Sequence, residues 1–341
     1  MLIRCLLACF VSLCAAAGPS LGGEPAKSKP NEPLAKSFSL ERARDALDAI
    51  SIHWIDQHKC ASCHTIYPYL VARPALKDAG PHDKVRAFVE KRAANFDSGK
   101  KDDKPRGDAE IVATAATLAI NDARTTGKLH PLTRQTLDRI WTLQQPDGSW
   151  NWYKCGWPPF ELDDYWGAVF AAVGVGHAPE GYAETEKAKA GLKKLRDYLK
   201  KTPPPNLHHK AWLLWASLKL DGLLSKEDQQ IAVKELLALQ RDDGGWSLAS
   251  MAEWTGQAGP VDGKKAPSDG YGTGLVVYVL RQAGVPASDK AIERGVSWIK
   301  ANQRESGQWY THSLNESDHN YIAHAGTAFA VLALQSCNVK K

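Results

Sequence analysis

Apolar positions recur at three- and four-residue steps along most of the chain, and strictly alternating runs are scarce, so the pattern predicts helices and almost no sheet. The helical runs come in pairs. Ser39 to His58 is followed by Ile66 to Ala75, Lys84 to Phe96 by Asp108 to Asp122, and Leu132 to Gln145 by Asp164 to Gly176. Glu184 to Lys201 then pairs with Leu207 to Leu220, Lys226 to Gln240 with Tyr271 to Ala283, and Lys290 to Gln303 with Tyr321 to Gln335. The first member of each pair is charged on one side, as an outer helix should be, and the second is more apolar and rich in small residues, as a buried helix should be. Six such hairpins predict an all-α fold, an α/α toroid (α6/α6 barrel), because closing the pairs into a ring buries the apolar members and removes the free ends of the stack. An open stack of hairpins is the alternative.

Three of the turns share one grammar, which marks a repeat architecture. They read Gln144-Gln145-Pro146-Asp147-Gly148-Ser149-Trp150, Gln240-Arg241-Asp242-Asp243-Gly244-Gly245-Trp246 and Gln303-Arg304-Glu305-Ser306-Gly307-Gln308-Trp309. This Gln-x-x-x-Gly-x-Trp turn resembles the QW motif of the terpenoid (squalene–hopene and oxidosqualene) cyclases, which share their toroid with protein prenyltransferase β subunits. The likeness covers residues 130–336 through its motifs and 39–129 by helix order alone. It implies that each Gln caps helix ends and that each Trp stacks on a neighbouring outer helix. It also implies an apolar, isoprenoid ligand in an aromatic-lined cavity, and in the enzymes a cyclisation begun by protonation. One fold hosts many activities, so the chemistry has to come from the site.

The loops after these turns enter the second helix of each pair and therefore share one rim, which would carry Trp157, Trp166, Tyr271, Tyr321 and His324 around the cavity. Aromatic faces there suit an apolar ligand or a carbocation; alternatively they fill a ring too wide for aliphatic side chains. Glu161-Leu162-Asp163-Asp164 resembles the Asp-x-Asp-Asp acid motif of the cyclases, and the resemblance makes Asp163 the proton donor with Asp164 and Glu161 beside it. Crowded carboxylates cannot all ionise, so one retains its proton. The sequence departs from that motif at Glu161 and at Tyr165-Trp166, and the other reading is an acidic helix start that satisfies the helix dipole. Likeness to the prenyltransferases offers Asp269 and His324 as zinc ligands, but Tyr271 stands where a Cys is wanted, so no zinc site is expected unless His312 or His319 completes it. Gly270-Tyr271-Gly272-Thr273-Gly274 is no nucleotide loop, since no strand precedes it.

The N-terminus changes the picture. Met1 to Ala17 has one positive charge, a short apolar core and small residues before a break, which reads as a secretory signal peptide and places the protein in the periplasm or outside the cell. Residues 18–38, rich in Pro, Lys, Gly and Ser, read as a disordered linker, which leaves 39–341 as a single domain. The net charge of +5 is mixed along the chain, with no basic arm, so nucleic acid is not an expected partner, whereas contact with a membrane surface stays open. Seven cysteines less Cys5, Cys9 and Cys14 of the leader leave Cys60, Cys63, Cys155 and Cys337, too few for a disulfide scaffold. In an exported chain Cys60-x-x-Cys63-His64 reads as covalent haem c attachment, with thioethers at both cysteines and His64 as the proximal iron ligand. A Cys60–Cys63 disulfide, or a partial metal site bracing the turn, is the alternative. The haem reading makes the protein an electron-transfer or redox-sensing protein with a redox partner. Against the cyclase reading it stands as a second hypothesis, and a non-catalytic binding module as a third.

Overall fold

A computed structural model describes residues 25–76, 80–96, 107–256, 259–315 and 320–339, and the expected signal peptide lies outside them. The outer layer consists of α1 (Leu40–His58), α3 (His82–Ala94), α5 (Pro131–Leu143), α7 (Glu186–Lys201), α9 (Lys226–Ala238) and α11 (Lys290–Ala301). The inner layer consists of α2 (Ile66–Ala72), α4 (Asp108–Arg124), α6 (Asp164–His177), α8 (Leu207–Ser217), α10 (Gly270–Gln282) and α12 (Ile322–Ser336). Helix α7 buries a single stripe, Ala188, Gly191, Leu192, Leu195 and Leu199, whereas α6 is buried at every position from Tyr165 to Val175. That contrast is the outer/inner distinction written in the apolar spacing. Two-residue strands at Thr255–Gly256 and Gly259–Pro260 form a small hairpin.

Each inner helix packs on the next in chain order, and α12 returns to α2, so the ring is closed. Small residues permit the approach: a Cβ on Gly174 would lie 2.2 Å from the Ala116 Cα of α4. The outer layer is tied by the repeated turns. Gln144, Gln240 and Gln303 each donate from Nε2 to the carbonyl of their own turn's glycine, and also to Gly191, Ala291 and Ser39 respectively, at the start of the next outer helix. Trp150, Trp246 and Trp309 are fully buried, and each indole N–H donates to the carbonyl ten residues earlier. The third turn closes the circle. Gly307 has φ +86° and packs so tightly on α1 that a Cβ there would lie 2.3 Å from the Arg42 carbonyl oxygen.

The structure departs from the sequence reading in two places. Helix α2 tightens into a 3-10 turn over Arg73–Leu76, because Pro74 has no N–H for the Leu70 carbonyl; Asn121 Nδ2 takes that carbonyl instead, at 2.6 Å. Residues 25–38, within the stretch expected as a disordered linker over 18–38, lie against the last turn. The Ala35 N–H donates to the Gln303 carbonyl at 2.8 Å, the Glu305 N–H donates to the Pro33 carbonyl at 3.1 Å, and the Glu32 carboxylate accepts from the Ser306 N–H at 2.7 Å. Its composition lacks a core, but the last turn offers backbone partners that take the place of water.

Candidate functional site

Helix α1 ends at Lys59, whose left-handed φ of 48° turns the chain into Cys60–His64. The Cys60 carbonyl accepts from Trp54 Nε1 at 3.1 Å, and the Ser62 carbonyl accepts the first N–H of α2, from Ile66. The turn therefore delivers His64 to the N-terminal rim of the inner ring. His64 is buried, with its ring 5.0 Å from that of Phe160 and 6.2 Å from that of Trp157. Loss of water pushes its pKa down to about 4, against a hydrogen bond to the Pro158 carbonyl that favours the charged form. The imidazole is thus neutral across the physiological range.

Helix α12 brings His324 to the same corner. Its Nδ1 lies 3.0 Å from Thr65 Oγ1, and its pKa is lowered to about 3, first by desolvation and then by the neighbouring His64. Tyr321, one turn earlier, stacks on Trp157 at 6.1 Å and meets Trp54 edge-on at 4.9 Å. The third contributor is Glu161, whose carboxylate lies 3.9 Å from His64 Nδ1 and accepts from the thiols of Cys63 and Cys155. Burial, then the charge of Glu161, pushes the Cys63 thiol well above its ordinary value. None of Cys60, Cys63, Cys155 and Cys337 is in a disulfide, and Cys337, at the C-terminal end of α12, is at the far rim from Cys155. So Cys60, Cys63, His64, Glu161, Trp157, Tyr321 and His324 gather at one rim corner. The Cys155 and Thr65 partnerships were not foreseen, since nothing local in sequence signals contacts of that span.

The acidic motif does not assemble as a cluster. Its three carboxylates face three neighbours: Glu161 turns to His64, Asp164 accepts from the Trp152 N–H at 2.9 Å and pairs with Lys154 at 2.8 Å, and Asp163 caps α6. Asp163 accepts from the Trp166 N–H at 2.9 Å and lies 3.4 Å from Nε2 of buried His209. Burial alone would raise its pKa, but His209 and the backbone N–H groups outweigh this and hold it below the ordinary value. The helix-start reading describes the local geometry of Asp163. Asn206 caps α8 in the same way and Asp269 caps α10. Of the two caps that are carboxylates, it is Asp269 whose desolvation prevails, raising its pKa to about 6 despite bonds from the Gly272 and Leu248 N–H groups.

Trp166 and Tyr271 lie not at a mouth but inside the ring. Trp166 meets Trp212 edge-on at 4.7 Å, Tyr271 meets Phe329 at 5.3 Å, and His208 Nε2 bonds the Tyr271 hydroxyl at 2.9 Å. What remains between Cys63, Tyr67, Phe160, Trp166, Trp212 and Phe329 is a cavity of about 20 Å³, space for one water-sized molecule. The aromatic side chains fill the ring. Among the described residues no group of three or more His, Cys, Asp or Glu is arranged to hold a metal ion, and His319 lies outside them.

The toroid is a shared architecture. An ent-copalyl diphosphate synthase from Streptomyces platensis superposes with a TM-score of 0.51 at 14% identity, over 81% of this chain and 50% of that one, so the chain spans about half its length. A wild-type glycosidase superposes with a TM-score of 0.53 at 12% identity, over 89% of this chain and 100% of that one. A glycosidase point variant in complex with glucose superposes with a TM-score of 0.53 at 11% identity, again over 89% and 100%. No family model matches the chain, and no curated protein matches it. At these identities the likeness is one of fold, an α/α toroid.

Proposed function

We propose that the working site is the rim corner around His64, and that Cys60 and Cys63 carry a covalently attached haem c with His64 as the proximal ligand, in an exported electron-transfer or redox-sensing protein. The observation that carries this reading is the state of the Cys60–His64 turn. Both thiols are outside any disulfide, and the imidazole between α2 and the 157–161 loop is desolvated and neutral, as an iron ligand must be. One ring nitrogen is hydrogen-bonded to the Pro158 carbonyl, a partner that fixes the ring's orientation. The donor residues are those of haem c attachment, but the cavity of about 20 Å³ beside Cys63 does not hold the group as the side chains are packed.

When bound, haem supplies a one-electron iron couple. The chain's own contribution would be to orient His64 through Pro158, to exclude water with Trp157 and Phe160, and to place the partly exposed Glu161 carboxylate 3.9 Å from His64 Nδ1. The isoprenoid reading has less support, because a prenyl chain in the ring centre would have to displace Phe160, Trp166 and Trp212, all buried.

The test is production in a periplasm equipped for cytochrome c maturation. The purified protein is expected to show a Soret band and a haem mass that survives denaturation, with both lost in Cys60→Ser/Cys63→Ser. A colourless wild-type protein of unmodified mass would falsify the proposal and return the ring to the binding-module reading.

A further inference from the structure

We propose that the buried pair Arg92–Glu110 positions the Cys60–His64 turn, fastening both of its ends so that Cys60, Cys63 and His64 keep a fixed mutual placement; this rests on the reading above that the turn is the working site. Three observations converge. First, Arg92 in the last turn of α3 and Glu110 in the first turn of α4 meet fork to fork. Arg92 Nε donates to Glu110 Oε1, and Nη2 donates to Oε2 at 2.9 Å. The two residues are only 3% and 2% exposed, so the pair is out of reach of solvent screening. Second, the remaining arm of the guanidinium reaches the entrance of the turn, where Nη1 donates to the Lys59 carbonyl at 3.1 Å. Lys59 is the left-handed residue that ends α1, and carbonyls at a helix end lack an N–H of their own helix. Third, the exit is fastened to the same residue of α4. The Tyr67 hydroxyl, three residues beyond His64, donates to the Glu110 carbonyl at 3.3 Å and lies 3.2 Å from Thr114 Oγ1.

Stability does not account for charges at this place. A buried ion pair gains little over apolar side chains of the same volume. What apolar residues cannot do is aim a donor at a carbonyl. The guanidinium is planar, and a carboxylate that takes two of its nitrogens leaves the third a single direction, here toward Lys59. Lysine would keep the charge without that direction. Arg86 supplies the contrast. It joins the same two helices, meeting Asp122 at 2.7 Å about 18 Å further along α4, and it bonds Glu90 and Asn121, all outside the turn.

The measurement is pulse alkylation of the reduced, haem-free full chain under native conditions. The rate at each cysteine is read by peptide mass spectrometry, with Cys337, at the opposite rim, as the internal reference. Arg92→Met/Glu110→Leu, which removes both charges together, is expected to keep the helical circular dichroism and urea midpoint of wild type. Alkylation of Cys60 and Cys63 should meanwhile rise about tenfold relative to Cys337, the change in local opening that follows loss of one charge-assisted hydrogen bond. Arg92→Lys should label like the double variant, and Arg86→Met like wild type. In a host equipped for cytochrome c maturation, the double variant should also carry less thioether-linked haem than wild type. Wild-type labelling in the double variant overturns the proposal, as does an Arg92→Lys chain that labels like wild type or an Arg86→Met chain that labels like the double variant. Acceleration at Cys337 along with the other two, or loss of cooperative unfolding in the double variant, overturns it as well, because the pair would then support the whole fold rather than the turn. A colourless wild type overturns the haem reading and leaves the labelling to decide this proposal by itself.

Discussion

Replacing Asp163 by alanine and by asparagine separates two roles that sequence alone runs together. As the N-cap of α6, Asp163 satisfies the Trp166 N–H at 2.9 Å, and loss of such a cap costs about 1 kcal/mol. Alanine also leaves Nε2 of fully buried His209 without the carboxylate 3.4 Å away, which adds up to about 1 kcal/mol once the partial exposure of Asp163 is discounted. Asp163→Ala should therefore lower unfolding free energy by roughly 1–2 kcal/mol. Asparagine caps as well as aspartate, so Asp163→Asn should stay within about 0.5 kcal/mol of wild type at neutral pH. The assay is urea unfolding followed by circular dichroism, read as a midpoint shift at constant slope. The pH dependence follows from the depressed carboxyl: its stabilisation is present above the ordinary carboxylate range and disappears as pH falls through the folded-state value, so wild type and Asp163→Asn should converge in acid. An Asp163→Asn variant that costs as much as Asp163→Ala would sink the capping argument, and a charge-dependent function would return to that residue.

Asp269 should behave with the opposite sign. Its carboxyl is raised to about 6 from 3.8, so between those values the folded chain holds a proton that the unfolded chain has lost, and stability falls as pH rises through that window. Asp269→Asn should flatten that slope in unfolding curves taken across the window; an unchanged slope would refute the assignment. Gly307→Ala forces a side chain onto a φ of +86° and into the Arg42 carbonyl, and should cost at least about 2 kcal/mol, whereas Gly127→Ala, at φ +68° in open space, should cost about 1 kcal/mol. Equal losses in thermal melts of the two would show that closure of the outer ring contributes nothing there.

The architecture could be read from the chain because it is local. Periodicity at three and four residues states which side of each helix is buried, and all twelve α-helices among the described residues lie where the spacing puts them. The repeated turns state how each hairpin meets the next. Endpoints were less visible: α2 stops at Ala72 because Pro74 removes a donor, and the replacement donor, Asn121, lies on another helix. The site was half legible. The Cys60–His64 turn and Glu161, both singled out in the sequence, reach the same corner. What the string could not give is direction. Glu161, Asp163 and Asp164 are neighbours in sequence, yet a loop entering a helix turns each to a different partner, so proximity in the chain did not become proximity of charge. Nor does composition distinguish a lined cavity from a plugged one; the difference lies in how Phe160, Trp166 and Trp212 interlock across three elements.

The seam that joins the last turn to the first helix also imposes an order in time. Ser39 and Gln303 exchange hydrogen bonds across 264 positions, and Thr65 meets His324 across 259. Contacts so far apart cannot form until almost the whole polypeptide has been delivered, and they carry a large loop-closure cost. A chain that emerges amino end first therefore presents Cys60, Cys63 and His64 on an unsealed edge while its last hairpin is still missing. Arrival of α12 then shuts that edge.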